Sequence, residues 1–226
     1  MKISTLKNAL WGDLSHTLAR ELIEKSENAW DALGGLGDFI LALGKTLPAD
    51  EYIEQTDGVW VSRSANVYPT AMIMAPCIIG AGTEVRHCAF IRGSVIIGQG
   101  CVVGNSTEIK NSIIFDGVQI PHYNYVGDSI LGYKSHMGAG AITSNVKSDK
   151  TPVTVRIGDE RAETGVKKLG ALIGDYVEVG CNSVLCPGSV IGTKTNIYPL
   201  SLVRGYVPEN SILKSDGKIT EKTDKK

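Results

Sequence analysis

The sequence predicts an all-β fold, a parallel β-helix wound from hexapeptide repeats, with a small N-terminal helical segment ahead of it. Three observations carry this prediction. Aliphatic β-branched residues fall at Val67, Ile73, Ile79, Val85, Ile91, Ile97, Val103 and Ile109, eight consecutive sixth positions. Four residues after each of the first seven stands something small or β-branched: Ala71, Cys77, Thr83, Ala89, Val95, Cys101 and Thr107. The chain also holds 26 glycines against three phenylalanines, a composition of corners rather than of aromatic packing. A six-residue period is too short for a helical pair and matches the hexapeptide class, one short strand and one corner per unit. Three such units close a triangular coil, and each inward aliphatic residue stacks on its equivalent three units later, about 4.8 Å along the axis.

The elements follow in order. Residues 1–48 form the helical appendage. Within it 14–46 read as helix, with Leu18, Leu22 and Ile23 on one apolar face and Trp30, Leu33, Leu36, Ile40 and Leu43 on another. Gly34, Gly35 and Gly37 weaken the second helix, and Pro48 closes it. Residues 49–66 read as a lead-in strand and cap, because Val59 and Val61 alternate and a repeat protein needs its first coil covered. The β-helix occupies 67–210. After Ile109 its step slips in places, running through Ile114, Ile120, Val126, Leu131, Met137 and Ile142. Residues 146–170 abandon the repeat, which predicts a loop excursion with a short hairpin around VTVRIGDERA. The six-step resumes at Ile173, Val179, Leu185, Ile191, Ile197 and Val203. Residues 211–226, rich in lysine and poor in apolar side chains, read as a flexible tail.

Net charge is −1, which gives no electrostatic case for nucleic acid or an anionic membrane as partner. No apolar run reaches membrane-spanning length and the opening MKISTLKNALWGDLS lacks a signal-cleavage pattern, so the expected location is cytoplasmic. The five cysteines are odd in number and lack metal-ligand spacing; Cys77 and Cys101 sit in the small-residue slot of the repeat and read as packing thiols.

Arg92 and Lys110 each follow an inward aliphatic residue by one position and lie one full coil apart, so they stack on one side of the prism. Two like charges about 5 Å apart repel by about 1 kcal/mol in water and about 3 kcal/mol near a protein surface. Either the side chains splay or an anion sits between them, and phosphate is the natural guest. His122 lies in PHYNYVGD within the irregular stretch, and an imidazole can take a proton from an attacking amine. Glu108 is close along the coil and is a candidate to orient that ring, or else an exposed corner carboxylate.

These residues resemble a known family. The stretch GNSTEIKNS…PHYNYVGDSILGYKSHMGAGAITSN is similar to hexapeptide-repeat acyltransferases, in particular the acetyltransferase domain of the bifunctional glucosamine-1-phosphate acetyltransferase/N-acetylglucosamine-1-phosphate uridyltransferases. It carries the Arg92, the Lys110 in GNxxExK, the HxxYxGD from His122 to Asp128 and the GAGxxTxN from Gly138 to Asn145. The run from Val153 to Gly192 is similar to the archaeal form, including its Lys-Lys-Leu-Gly loop. The resemblance covers residues 66–210 and implies a left-handed coil, against the ordinary crossover hand. It implies a homotrimer with active sites between prisms. It further implies acetyl transfer from acetyl-CoA to an amino-sugar 1-phosphate, without a metal. By it, His122 is the general base, supported by Glu108. Arg92 and Lys110 take the phosphate, while Tyr125, Asn145, His136 and Lys168 contact the substrate. Ala139, Cys181 and Pro199 approach acetyl-CoA.

Two departures stand out: the family pattern has asparagine where this chain has His136, and an NYDG turn where this chain reads NVKS. Nor does any Gly-rich strand–loop segment for a nucleoside triphosphate precede residue 66, so no nucleotidyltransferase domain is expected. Competing readings are an acyltransferase for another sugar or sugar nucleotide, a zinc-dependent hydration enzyme on the same scaffold using His87, His122 and His136, and a regulatory module that binds sugar phosphate without turnover. Which amino sugar or acyl group is used, and which lysine of 147–168 meets it, the residues leave open.

Overall fold

A computed structural model describes residues 2–223. Three sheets form the sides of a triangular prism, nine, seven and nine strands deep. Face one runs from Tyr52–Thr56 to Tyr206–Val207, face two from Met72–Ile73 to Leu202–Val203, and face three from Asn66–Val67 to Ile219–Glu221. Strands of successive coils pair in parallel, and the coil is a left-handed parallel β-helix, as expected. The inward ladder on face one is Val61, Ile79, Ile97, Ile114, Leu131, Ile173, Ile191 and Val207. Equivalent ladders start from Val67 and Ile73 on the other two sides, and the predicted small-residue slots from Cys77 to Thr107 are buried between them. Burial pushes the Cys77 and Cys101 thiols well up, which leaves them inert packing groups.

One inward position differs from the expectation. Ile142 does not point into the prism; Thr143 does, between Val126 and Leu185, while Ile142 lies outside beside Tyr125 and Val184. The step from Met137 is therefore six residues and not five. The Thr143 hydroxyl is tolerated inside because it is bonded there: the Gly127 N–H and the Ser129 hydroxyl each donate to it at 3.0 Å.

The exteriors of the three faces are unlike. Face three presents mainly polar residues, Asn66, Glu84, Gln119, His136, Glu178 and Asn196 among them. Face one presents a second aliphatic ladder, Ile78, Ile96, Ile113, Ile130, Leu172 and Val190, and all six are fully buried. Their cover is the N-terminal segment. Its helices Leu6–Leu10, Arg20–Lys25 and Leu36–Gly44 run down the outside of face one, and their apolar residues join the prism in one core. Trp11 Nε1 donates to the Ile173 carbonyl at 2.9 Å, and the Asp116 N–H donates to the His16 carbonyl at 2.9 Å. At the far end Gly44 sits on the Trp60 ring, where a Cβ would come within 2.2 Å of a ring carbon. The expected appendage is thus a strap, and the reason is the doubled aliphatic pairs of face one, which cannot face water on both sides of the sheet.

The excursion carries the expected hairpin, Thr154–Ile157 with Glu160–Glu163. Val153, Val155 and Ile157 are buried against Ser189–Ile191, so the hairpin extends the same cover, and Glu160 accepts from the Ile3 N–H at 2.8 Å. The boundaries shift at both ends. The first coil begins at Val59, since Val59–Ser62 already pairs with Cys77–Ile79, and Tyr52–Thr56 folds back on it as an antiparallel edge. At the other end, residues 211–223 are not a free tail. Ser211–Leu213 pairs with Asn196–Ile197 and with Ile219–Glu221, because Leu213 closes the open end of the interior. Residues 224–226 of the expected tail lie outside the described residues. Among the described residues no helix is long and apolar enough to cross a membrane.

Candidate active site on the two edges of face two

Face two is the open side. Its outward ladder, Met72, Phe90, Glu108, Tyr125, Ile142, Val184 and Leu202, is largely apolar, and among the described residues no element covers it. Met72 is 59% exposed and Leu202 65%. The candidate residues fall on the two long edges of this face.

On the edge where the chain turns from face two to face one stand Arg92, Lys110, Asp128 and Asn145. The Arg92 N–H donates to the Ile109 carbonyl at 2.8 Å, so Arg92 and Lys110 stack one coil apart as their spacing predicts. Their mutual repulsion is relieved because each takes its own carboxylate. Arg92 Nη1 lies 2.7 Å from Glu108 Oε1, and Lys110 Nζ lies 3.1 Å from Asp128 Oδ2. The Asn145 amide donates to Asp128 and, at 3.2 Å, to the Tyr125 hydroxyl. Burial, and after it the neighbouring Asp128 carboxylate, raise the Tyr125 phenol above its usual range, so it remains an O–H at neutral pH. Asn145 also marks the root of the excursion, since its carbonyl accepts from the Leu169 N–H at 3.0 Å and Val146 bridges to Lys168. Lys168 is exposed beside that root.

On the other edge, where face three turns into face two, His122 ends the strand Gln119–His122. It belongs to a column. Gly140 N donates to the His122 carbonyl at 3.0 Å, Asn182 N to that of Ala139 at 2.8 Å, and Leu200 N to that of Cys181 at 2.9 Å. His122, Ala139, Cys181 and Pro199 therefore follow one another down four successive coils. The backbones close up tightly beside this column: a Cβ on Gly138 would stand 2.7 Å from Cys181 N, and one on Gly180 would stand 2.4 Å from Pro199 N. Backbone order at His122 comes from Asn124, whose side-chain oxygen accepts from the His122 N–H at 3.0 Å and whose amide donates to the Gly138 and Ala141 carbonyls.

One chain does not bring the two edges together. Among the described residues no hydrogen bond joins the exposed His122 ring to Arg92, Lys110 or Glu108. Glu108 is engaged by Arg92 rather than by the imidazole, because the two share the outside of face two on adjacent coils. His136 is on neither edge. It opens its strand on face three, paired with Glu178 at 2.8 Å in an open groove of about 400 Å³ that Gln119 and Lys134 also line. Asp128 and Asn111, which the sequence offered only as part of a motif and as a neighbour of Lys110, prove central to the cationic edge. The signal was their spacing, seventeen residues apart on the same corner.

The sequence model of the GMPPB C-terminal domain matches residues 73–215, most of the coil. The chain belongs to that family. Among its relatives, the bifunctional protein GlmU of Methanococcus aeolicus is 35% identical over 99% of this chain and 58% of its own length. The bifunctional sugar-1-phosphate nucleotidylyltransferase/acetyltransferase of Sulfurisphaera tokodaii is 40% identical over 42% of this chain and 23% of its own. This family member thus spans about half the length, or less, of those curated relatives. Among solved structures, the UDP-N-acetylglucosamine O-acyltransferase of Moraxella catarrhalis aligns over 70% of this chain and 64% of its own at 12% identity, with a TM-score of 0.41. The resemblance drawn from HxxYxGD and GAGxxTxN agrees with these relatives.

Proposed function

We propose that this protein is an acetyl-CoA-dependent N-acetyltransferase for an amino-sugar 1-phosphate of the glucosamine 1-phosphate kind, working as a homotrimer. The observation that carries the reading is the division of face two: a histidine column on one edge, a cationic cluster on the other, and an uncovered apolar ladder between them. Large open apolar stripes mark interaction surfaces. Packing of like prisms through face two would set one subunit's His122 edge against its neighbour's Arg92–Lys110 edge and complete a site that one chain leaves divided. The name of the Sulfurisphaera tokodaii relative, which joins sugar-1-phosphate nucleotidylyl transfer to acetyl transfer, supports the substrate class.

In this mechanism Arg92 and Lys110 hold the phosphate, and Tyr125 and Asn145 orient the sugar. Lys168, exposed at the excursion root, is the further cation that contacts the substrate. The sugar's neutral amine attacks the thioester carbonyl carbon. Its nitrogen forms the new C–N bond, the C–S bond breaks, His122 accepts the amine proton, and the departing thiolate is protonated to free CoA. Ala139, Cys181 and Pro199 line the approach of the pantetheine arm, where bulk would block it. Holding both reactants in one cleft supplies most of the rate advantage. The test is direct: purified protein with acetyl-CoA and a panel of amino-sugar phosphates, followed by thiol release. Release that depends on glucosamine 1-phosphate or a close relative supports the reading, and silence across the panel sinks it.

A further inference from the structure

We infer that Asp128 is a positioning residue that holds Lys110 and Asn145 as one preset pair for the phosphorylated sugar; the identity of that ligand rests on the reading above. The Asp128 carboxylate is nearly sealed, with 4% of the residue exposed, and its acceptor capacity is filled. Lys110 Nζ stands 3.1 Å from Oδ2 and 3.3 Å from Oδ1, Asn111 Nδ2 donates to Oδ1 at 2.9 Å, and Asn145 Nδ2 donates to Oδ2. A carboxylate offers about four lone-pair sites, so little room is left for a ligand to bind Asp128 itself.

The backbone fixes this anchor from both sides. The Asp128 N–H donates to the Lys110 carbonyl at 3.0 Å, and its own carbonyl accepts from the Gly170 N–H at 2.8 Å. With φ at 49° the residue occupies the left-handed region, where aspartate is among the few side chains accepted. Gly170 cannot be displaced or enlarged, because a Cβ there would lie 2.2 Å from Ser129 Oγ and 2.3 Å from the Gly127 carbonyl oxygen. Asp128 therefore joins the coil before it, the coil after it and the returning end of the excursion.

The chemistry of the pair follows. A lysine carries its charge on a flexible stem, and Asp128 orders that stem before any ligand arrives. The Asn145 amide group spends its N–H donors on Asp128 and Tyr125, which leaves its carbonyl oxygen as the group that accepts from a sugar hydroxyl. Charge on Asp128 thus sets what two other side chains can offer.

Asp128→Asn keeps the shape and removes the charge. Hydrogen bonds to charged groups are the strong ones, so the expected result is a rise of at least about tenfold in KM for glucosamine 1-phosphate, with KM for acetyl-CoA changed by less than about twofold. Lys110→Met should then add little in the Asp128→Asn background, since both changes break one linkage. A folded Asp128→Asn with unchanged sugar-phosphate KM overturns the inference, and so does equal loss for both substrates. Wild-type protein that binds no amino-sugar phosphate refutes the functional reading instead. The positioning role is then read by NMR from hydrogen exchange at the Asn111 and Asn145 side-chain amides. Slow exchange in the wild type supports it, and fast exchange there overturns it without any variant.

Discussion

The carbonyl of His122 accepts from the N–H of Gly140 at 3.0 Å, and that one bond sets His122 directly before Ala139 in the next coil. On the proposed reading a proton acceptor and a small residue that leaves room for acetyl-CoA follow one another along this edge of face two. Enlarging Ala139 should then obstruct acetyl-CoA without touching the acceptor. Ala139→Leu is expected to raise KM for acetyl-CoA by at least about tenfold, the scale on which overpacking of a formed site is felt. Steady-state kinetics with each substrate varied in turn checks it. A matching rise in KM for the sugar phosphate would remove Ala139 from the acetyl-CoA side.

His122 itself is exposed, and among the described residues no side chain hydrogen-bonds to its ring. His122→Ala should therefore melt within a degree or two of wild type, the small effect typical of surface changes. Turnover should fall by at least about a hundredfold, as for loss of a general base. Undiminished thiol release would mean that another group takes the amine proton.

The interior of the prism was legible because a period of six admits one structure: Val67 to Ile109 repeat at a spacing that neither helices nor ordinary strands produce. The exterior carried a signal as well, one that the reading of residues 1–48 as an appendage did not use. Ile78–Ile79, Ile96–Ile97, Ile113–Ile114 and Ile130–Leu131 put aliphatic side chains on both sides of face one, and both sides cannot be wet. That pattern demanded a cover and so explained Trp11, Leu36 and Ile40. The candidate site was legible as residue types at fixed spacing. Its partners were not, since whether Glu108 answers Arg92 or His122 depends on which way a side chain leaves a corner, and periodicity is silent on that.

The covered ladder can be weighed against the interior one. Ile97 points into the prism and Ile96 points out beneath the strap, yet both are fully buried. Ile96→Ala and Ile97→Ala should each cost about 2–5 kcal/mol, the range for deleting a buried aliphatic side chain. Urea denaturation measures both. If Ile96→Ala stays within about 0.5 kcal/mol of wild type, the surface value, then the strap does not hold that face closed.

The strap junction carries a pH dependence of known sign. Burial raises the Asp116 carboxyl above its usual range, with the Gln99 N–H bonded to it and His16 nearby acting in the other direction. A carboxyl with a raised folded pKa binds more protons folded than unfolded between its two pKa values. Its contribution is fully present below the unfolded value and is lost as pH rises through the folded one. Asp116→Asn retains an oxygen for Gln99 and cannot ionise. Its melting temperature relative to wild type should therefore rise from pH 4 to pH 8. A difference that stays flat or shrinks over that interval would show that burial does not raise the Asp116 carboxyl.

Glu108 offers the sharpest division between two roles for one residue. Its carboxylate meets the Arg92 guanidinium at 2.7 Å, and Glu108 pairs with Phe90 on the adjacent coil of face two. If Glu108 serves the phosphate site, Glu108→Gln frees Arg92 from a competing anion, and KM for the sugar phosphate changes while the kinetic pKa of the general base stays where it was. If instead a neighbouring subunit brings His122 to Glu108, removing the negative charge destabilises the imidazolium, and the pKa read from kcat/KM falls. A pH–rate profile of Glu108→Gln separates the two. The expected outcome is an unmoved pKa with an altered sugar-phosphate KM, because a carboxylate already bonded to a guanidinium has little left to give a second cation. A fall of about one unit in that pKa would transfer Glu108 from the phosphate site to the base, since one unit corresponds to about 1.4 kcal/mol between the two protonation states.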